Sequence, residues 1–268
     1  MNILVCVKQV PNTTEIKIDP QTNTLVRSGV ESILNTYDGY ALEAAARLKD
    51  EIPDSRICVL SMGPPQAENA LRECLAIAAD SAYLATDRLF AGSDTLATAY
   101  ILSECVRRIE KLESGRFDAI FCGKQAIDGD TAQTGPALAE FLGLPQITNA
   151  LTCGRDEGGL NVLREIDGGK QIVGVGLPCL VTFTKPAFDP RFPTMKRKLA
   201  AKKAEIGRIA AEDMPGMDPA LIGLKGSPTK VKKTFVMPMR SGGTVIREET
   251  GEAAAARLVG LLSERGLV

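Results

Sequence analysis

Apolar stretches and helix-like stretches alternate along the first 145 residues. An uninterrupted apolar run of strand length occurs at 2–7, and further strand-like runs occur at 56–61, 82–85 and 117–122. Between them, helix-like runs occur at 41–49, 67–79, from 94 to about 112 and at 137–142. Asp94 is expected to cap the third of these helices, and Asp38 or Asn35 the first. This order predicts an α/β fold with a doubly wound, mostly parallel sheet.

The pattern changes after residue 146, where only strand-like runs follow. They lie at 151–154, 161–166 and 171–184, with glycine-containing turns at 156–159 and 167–169. Strands joined by such short turns predict an antiparallel addition to the sheet. The next segment, 185–193, contains three prolines and is expected to be irregular.

Two further segments are expected to lie outside this core. A small hairpin is predicted from 15–19 and 24–27. Residues 214–228 are rich in glycine and proline and are typical of a linker, and a strand at 231–236 and a helix at 251–265 follow. A strand and a helix beyond a linker bury too little apolar surface to stand alone, so we expect them to form an arm that packs on a partner subunit.

The stretch that organises the chain is a long loop at 123–136, between a strand and a helix. Pro136 suits the first helical turn, and Thr134 or Gly135 is a plausible N-cap. About a dozen residues is long for this connection, which favours a binding loop, and free N–H groups at the helix start suit a nucleotide phosphate. Asp128 and Asp130 would repel a phosphate and are better suited to ribose hydroxyls or to the loop's own N–H groups. An acidic surface loop with Asx turns explains the same residues equally well.

Composition narrows the chemistry. The chain has 268 residues, a formal net charge of −1 and no apolar run of 18 residues, so neither nucleic-acid binding nor membrane insertion is expected. The N-terminal run is a strand and not a signal peptide, so we expect a cytoplasmic protein. Seven scattered cysteines without a Cys-x-x-Cys pair indicate buried thiols and no metal site. With no histidine, catalytic triads are excluded, and activity must come from carboxylates, lysines or a bound cofactor.

A basic run at 196–203 follows the proline-rich segment. It places five cations in eight residues, next to Phe192, Pro193 and Met195. Apolar side chains beside a positive field suit transient protein docking. A solvated helix face explains the charges as well.

Four stretches of the chain, in their order, resemble the beta subunit of electron transfer flavoprotein. They are NILVCVKQVP near the start, GKQAIDGDTAQTGP at 123–136, LREIDGG at 163–169 and DPRFPTMKRKLAAKK at 189–203. In that family a nucleotide lies at three strand exits. The resemblance therefore implies that the cofactor-binding residues are Cys6, Asn35, Thr36, Tyr37, Asp38, Met62, Gly123, Lys124, Gln125, Ala126, Ile127, Asp128, Gly129, Asp130, Thr131, Ala132, Gln133 and Thr134.

The resemblance also implies partners. The family's partner-recognition segment matches 190–203, and its docking residues here are Arg191, Phe192, Met195, Lys196 and Arg197, with Met195 where relatives usually present a leucine. The C-terminal arm embraces an alpha subunit in the family. The expected division is a nucleotide-binding domain at 1–190, a partner-recognition segment at 191–213 and a linker with the arm at 214–268.

The family has two branches, which differ in the ligand of the pocket. One binds AMP as a structural ligand, and its loop usually carries a further Asp and an Asn where this chain has Gly129 and Ala132. The other binds a second FAD, accepts hydride from NADH and bifurcates the two electrons, towards ferredoxin or flavodoxin and, through the alpha-subunit FAD, towards a flavin-dependent dehydrogenase of the acyl-CoA type. The small residues at 129 and 132 resemble the FAD branch.

Three other interpretations of the motifs are weaker. A stress-type ATP-binding module needs Gly-x-x-Gly after a strand, which 123–129 lacks. The Ser-Gly-Gly at 241–243 is not placed as an ATP pyrophosphatase requires, and a calcium loop starting at Asp128 would need Gly where Gln133 stands. A yellow colour on purification would distinguish the flavoprotein from all three.

Overall fold

The structure, a computed structural model, describes residues 1–12, 32–232 and 242–268. The hairpin predicted at 15–19 and 24–27, and most of the strand predicted at 231–236, lie outside the described residues. Residues 1–12 and 32–232 belong to one compact unit, and 242–268 belong to a second. The three-part division of the chain expected from the sequence stays a prediction.

The described residues contain eleven strands and seven helices. The strands are β1 (Asn2–Cys6), β2 (Gln9–Pro11), β3 (Ser32–Leu34), β4 (Arg56–Met62), β5 (Ser81–Ala85), β6 (Ala119–Gly123), β7 (Gln146–Asp156), β8 (Gly159–Ile166), β9 (Gly169–Gly176), β10 (Cys179–Phe183) and β11 (Gly207–Ile209). The helices are α1 (Thr36–Glu51), α2 (Glu68–Ile77), α3 (Thr95–Leu112), α4 (Thr134–Leu142), α5 (Met195–Lys203), α6 (Gly223–Gly226) and α7 (Gly251–Glu264).

Nine strands form one sheet in the order β11-β5-β4-β1-β6-β10-β7-β8-β9. Every pair from β11 to β7 is parallel, and the β7-β8 and β8-β9 pairs are antiparallel. The predicted parallel sheet and its antiparallel addition are confirmed. The single strand predicted at 171–184 is two strands, β9 and β10, because Pro178 lies between them and has no N–H to donate to a ladder.

Helices cover both faces of the parallel strands. Ile3 and Val5 of β1 pack with the buried sides of α1 and α2, whereas Leu4 between them packs with α3 and α4. This alternation is what a strand buried on both faces produces, and it explains why β1 is an uninterrupted apolar run. Six of the seven cysteines are buried and Cys153 is half-buried, all as free thiols.

Two helix starts differ from the expectation. Asp94 caps α3 as predicted, because its Oδ1 accepts the N–H groups of Leu96 and Ala97, both at 3.1 Å. Helix α1 starts at Thr36, so Asn35 stands at the N-cap position as predicted, but neither Asn35 nor Asp38 caps the helix with its side chain. Helix α4 starts at Thr134 itself, after Gln133, so neither Thr134 nor Gly135 is the N-cap.

The glycine- and proline-rich segment 214–228 is not a free linker. Met214, Met217 and Ile222 are buried and pack in the same core cluster as α3. Gly223 permits this path because its φ is +59° and a Cβ there would lie 2.2 Å from the Leu89 carbonyl oxygen. The segment packs on the core because the burial of its apolar side chains outweighs the flexibility that glycine and proline suggest.

The helix predicted at 251–265 is confirmed as α7. Its N-cap is Thr250, whose Oγ1 accepts the N–H of Ala253 at 3.2 Å. Leu258 and Val259 on α7 are exposed. Among the described residues, no helix combines the length and the apolar character that a membrane span requires.

Candidate functional site

A cavity of about 360 Å³ lies at the carboxyl ends of β1, β4 and β6. The chain leaves β1 towards β4 on one side and reaches β6 on the other, so this is a topological switch point of the sheet. Ligands of doubly wound folds bind at such a crevice. The strand exits at Cys6, Met62 and Gly123 that the sequence singled out meet here.

Most of the predicted cofactor residues line this cavity. They are Cys6, Asn35, Asp38, Met62, Gly123, Lys124, Gln125, Ala126, Gly129, Thr131, Ala132, Gln133 and Thr134. Five others are not among its lining residues, namely Thr36, Tyr37, Ile127, Asp128 and Asp130.

Asn35 fixes the first half of the loop. Its Nδ2 donates to the Gln125 carbonyl oxygen at 2.9 Å, and its Oδ1 accepts the Ile127 N–H at 3.0 Å. The side chain is almost fully buried, so these two bonds are formed without competition from water. Ile127 therefore supports the cavity through its backbone.

Asp38 joins two strand exits. Its Oδ2 accepts the Lys8 N–H at 2.7 Å, and its Oδ1 accepts the Gly123 N–H at 3.1 Å. Burial raises the pKa of Asp38 to about 7, against the lowering effect of its hydrogen bonds with Asn35, Lys8 and Gly123. Gly123 must lack a side chain here, since a Cβ would lie 2.3 Å from Asp38 Oδ1 and 2.7 Å from the Tyr37 carbonyl carbon.

The two loop acids are engaged with neighbouring side chains. Asp128 accepts both hydrogen bonds from Lys8 Nζ, at 2.7 and 2.9 Å, and Asp130 Oδ1 accepts from Gln125 Nε2 at 2.6 Å. These contacts hold the loop against β1 and against itself. A direct role for either carboxylate at a ribose stays a prediction.

The second half of the loop is shaped by backbone conformation. Asp130 and Ala132 have φ of +51° and +53°, in the left-handed region that residues with a Cβ rarely adopt. A Cβ on Gly129 would meet nothing within 4 Å. The chain then enters α4, whose first-turn N–H groups have no acceptor within the helix and lie at the cavity with Gln133 and Thr134.

Sequence reasoning missed the wall that follows β5. The lining residues of this wall are Ser93, Asp94, Thr95, Thr98 and Leu102, and the other lining residues that were not predicted are Val7, Lys8, Leu60, Cys122 and Gly135. The signal was present, because Asp94 was predicted to cap the helix that follows the strand-like run at 82–85, and the start of a helix at that edge of a parallel sheet faces the same crevice. The cavity thus lies beside the N-terminal turns of both α3 and α4, which suits an anionic ligand.

The predicted docking residues divide into anchored and exposed ones. Arg191 donates to Glu43 at 2.8 Å and to Asp50 at 2.8 Å, and Arg197 Nη2 donates to the carbonyl oxygens of Leu75 and Ala79 at the end of α2. Phe192, Met195 and Lys196 are exposed, Phe192 by 91% and Met195 by 72%. The arginines fix the segment on the core, and the apolar side chains project from it.

The family model described as "Electron transfer flavoprotein domain" matches residues 22–214. The chain is 49% identical over 251 residues to the electron transfer flavoprotein subunit beta of Megasphaera elsdenii, covering 93% of this chain and 92% of the relative. It is 42% identical, over the full length of both chains, to the caffeyl-CoA reductase-Etf complex subunit CarD of Acetobacterium woodii. It is also 43% identical to the protein FixA of Azorhizobium caulinodans, covering 99% of this chain and 95% of that protein.

Proposed function

The chain belongs to the electron transfer flavoprotein family as a beta subunit, and we propose that its cavity binds an FAD through which electrons from NADH are distributed. Beta subunits of this family pair with an alpha subunit. In this proposal the heterodimer oxidises NADH, sends one electron to ferredoxin or flavodoxin, and sends the other through the alpha-subunit FAD to a flavin-dependent dehydrogenase.

The residues of the cavity fit the nucleotide portion that FAD and AMP share. A volume of about 360 Å³ is that of a small ligand pocket. The first turns of α3 and α4 present backbone N–H groups, and Lys124 contributes positive charge, so a phosphate is favoured there. Asn35 and Asp38 hold the loop and the strand exits in position around it.

FAD would supply the redox chemistry that the chain's own residues lack, because flavins accept a hydride and release electrons. The chain has no histidine, and burial raises the pKa of the Cys58 thiol to about 12, which disfavours its reactive thiolate form. The chain's proposed contribution is to bind, orient and shield the cofactor.

The small residues at 129 and 132 are the reason for proposing FAD and not AMP as the ligand. Gly129 faces open space at the cavity, and Ala132 adopts a left-handed conformation that asparagine tolerates better than alanine. Alanine at this strained position is explained if a larger side chain would fill space that the ligand requires. The alternative, a carrier subunit with structural AMP, is favoured by the volume, which is near the lower end for ligand pockets.

The first experiment identifies the nucleotides released by denaturing this chain after copurification with its alpha subunit. Two FAD per heterodimer support the proposal, and anaerobic addition of NADH should then bleach the flavin absorbance. One FAD and one AMP contradict it and make the protein a simple electron carrier.

A loop exchange tests the same choice on the chain itself. Gly129→Asp combined with Ala132→Asn should lower FAD content and raise AMP content. Gly158→Asp is the matched control, because Gly158 lies in an exposed turn where a Cβ also meets nothing within 4 Å. Retention of FAD at the wild-type ratio in the double variant would contradict the role given to these two positions.

The exposed pair Phe192 and Met195 is the proposed contact with the dehydrogenase. The name of the relative CarD places that protein in a complex with a caffeyl-CoA reductase, which supports an acyl-CoA-type partner here. Met195→Glu should raise the apparent KM for a dehydrogenase that the wild-type heterodimer reduces, with unchanged nucleotide content. Leu221→Glu, at another exposed apolar side chain, is the control and should leave that KM unchanged.

A further inference from the structure

The segment just before residue 232 is bonded to the rim of the cavity. Asp94 N–H donates to Ser227 Oγ at 2.8 Å, and Gly223 N–H donates to Ser93 Oγ at 3.1 Å. Ser227 is buried, and its Oγ also lies 2.8 Å from the Gly223 carbonyl oxygen. Ser93 and Asp94 line the cavity, so the bonds join the candidate nucleotide site to the end of the compact unit.

Asp94 is the centre of this connection because each of its oxygens serves a different element. Oδ1 caps α3, and Oδ2 accepts the Thr229 N–H at 3.0 Å and the Thr229 hydroxyl at 2.8 Å. Burial raises the pKa of Asp94, but the hydrogen bonds from Ala97, Thr229 and Leu96 outweigh it and hold the pKa below its usual value. The carboxylate therefore stays charged at neutral pH and accepts all four bonds.

We propose that the Asp94–Thr229 contact couples occupancy of the nucleotide cavity to the ordering of residues 226–230, which precede the C-terminal arm. This inference rests on the proposed function, which places a nucleotide in the cavity and the arm on the alpha subunit. Asp94 and Thr229 act as positioning residues. Thr229 is not among the residues that line the cavity, and its own contact with a lining residue is with Asp94.

The physical basis of the coupling is that one ligand would order both the start of α3 and the segment that bonds to it. A ligand that packs against Ser93, Asp94 and Thr95 reduces the motion of the start of α3, and an ordered Asp94 carboxylate is a better acceptor for Thr229. Coupling of this kind is reciprocal, so an arm held by the alpha subunit should tighten nucleotide binding by the same factor that the nucleotide tightens the subunit contact.

Hydrogen exchange on the heterodimer, with the beta-site nucleotide removed and then FAD or AMP added back, tests the coupling. In the wild type, nucleotide should slow amide exchange at 132–135 and also at 226–230, the latter by about tenfold, within the range of allosteric couplings. Thr229→Val removes the hydroxyl bond and leaves the backbone N–H that also donates to Asp94, so it should keep the protection at 132–135 and reduce the protection at 226–230. Thr229→Ser restores the hydroxyl and should restore the wild-type response.

Asp218→Asn is the matched control, because the Asp218 carboxylate caps a 3₁₀ turn of the same segment through the Ala220 N–H and does not touch the rim. It should respond to nucleotide as the wild type does. Wild-type protection at 132–135 without any at 226–230, or full protection at both places in Thr229→Val, would overturn the inference while leaving the proposed function intact. If neither FAD nor AMP protects 132–135, the proposed function fails, and this inference fails with it.

Discussion

The cavity and the docking segment belong to the same compact unit but use charged residues in different ways. At the cavity, acids bond to backbone N–H groups and to lysine and glutamine side chains, and the loop is held in a conformation that alanine rarely adopts. At the docking segment, Arg191 and Arg197 reach inward to carboxylates and to the end of a helix, and Phe192 and Met195 are left in water. In both regions, charged residues that stand out in the sequence bond within the chain.

This difference teaches that a charge near a site is not by itself a contact of the site. Asp128 and Arg191 both looked like ligand or partner contacts in the sequence, and both are engaged within the chain. The cavity depends on buried bonds and close backbone approach. The docking segment depends on ion pairs at its base, so each region should fail under a different substitution.

The largest expected loss of stability follows from removing Glu43, which holds the base of the docking segment and lies outside the cavity. Glu43 is buried and accepts hydrogen bonds from Arg191 and Arg47, so Glu43→Ala leaves Arg191 without its main partner. We expect a loss of about 3 kcal/mol in the free energy of unfolding, the low end for a broken buried ion pair because Arg191 is partly exposed. Urea unfolding measures it, and hydrogen exchange of the Arg191 amide should rise because that N–H donates to Glu43.

Asp50→Asn is the control for this prediction. Asp50 also pairs with Arg191 but its side chain is mostly exposed, so its loss should cost less than about 1 kcal/mol. Nucleotide content should remain at the wild-type level in both variants. Loss of nucleotide in Glu43→Ala would show that the two regions are not independent.

Asp38 gives the cavity an unusual dependence on pH. Its pKa of about 7 in the folded chain exceeds the ordinary aspartate value, so its favourable contribution is complete below about pH 4 and is lost as the pH rises towards 7. Relative to Asp38→Asn, which does not titrate, the wild type should lose about 2 to 3 kcal/mol of stability between about pH 5 and pH 7. Urea unfolding of both proteins across this range measures the difference.

Asp50 provides the opposite case for the same measurement. The hydrogen bond from Arg191 lowers the pKa of Asp50, so its contribution is present above the ordinary aspartate pKa and is lost only in acid. The stability difference between the wild type and Asp50→Asn should therefore be constant between about pH 5 and pH 7. A constant difference for Asp38→Asn as well would mean that Asp38 is ionised throughout.

A substitution at Gly123, where the backbone lies against Asp38 and Tyr37, should have a smaller effect on stability. Gly123→Ala places a Cβ against Asp38 and Tyr37, so β6 and α1 must separate, at a cost of about 2 kcal/mol. Nucleotide content should fall because the strand exits move apart. Gly129→Ala, in open space in the same loop, should leave stability within about 0.5 kcal/mol of the wild type.

The fold was largely predictable because its strands are buried on both faces. The runs 3–7 and 57–60 are apolar throughout, and Asp94 marks the start of α3, so the parallel sheet followed from pattern alone. The burial of 214–228 was not predictable, because glycine and proline suggest a linker and nothing in the pattern shows which groove Met214, Met217 and Ile222 fill.

The site was predictable at the level of strand exits and less so at the level of side chains. Cys6, Met62 and Gly123 meet because parallel strands end at one edge. That Lys8 would pair with Asp128, and that Asn35 would bond to the loop instead of capping α1, depends on which partners lie within reach after folding. Such pairings join residues about a hundred positions apart, and local pattern carries no information on them.

The smallest predicted effect tests whether the conformation of the loop is kept for its ligand. Ala132 has a φ of +53°, which costs about 1 to 2 kcal/mol for a residue with a Cβ, and glycine would remove that cost while adding about 0.4 to 1 kcal/mol of chain entropy to the unfolded state. Ala132→Gly should thus raise the free energy of unfolding of the nucleotide-free protein by about 0.5 kcal/mol. Ala126→Gly, in the same loop but without a positive φ, should lower it by a similar amount. If instead both variants are destabilised equally, the alanine is not strained, and its small size alone must explain its place at the cavity.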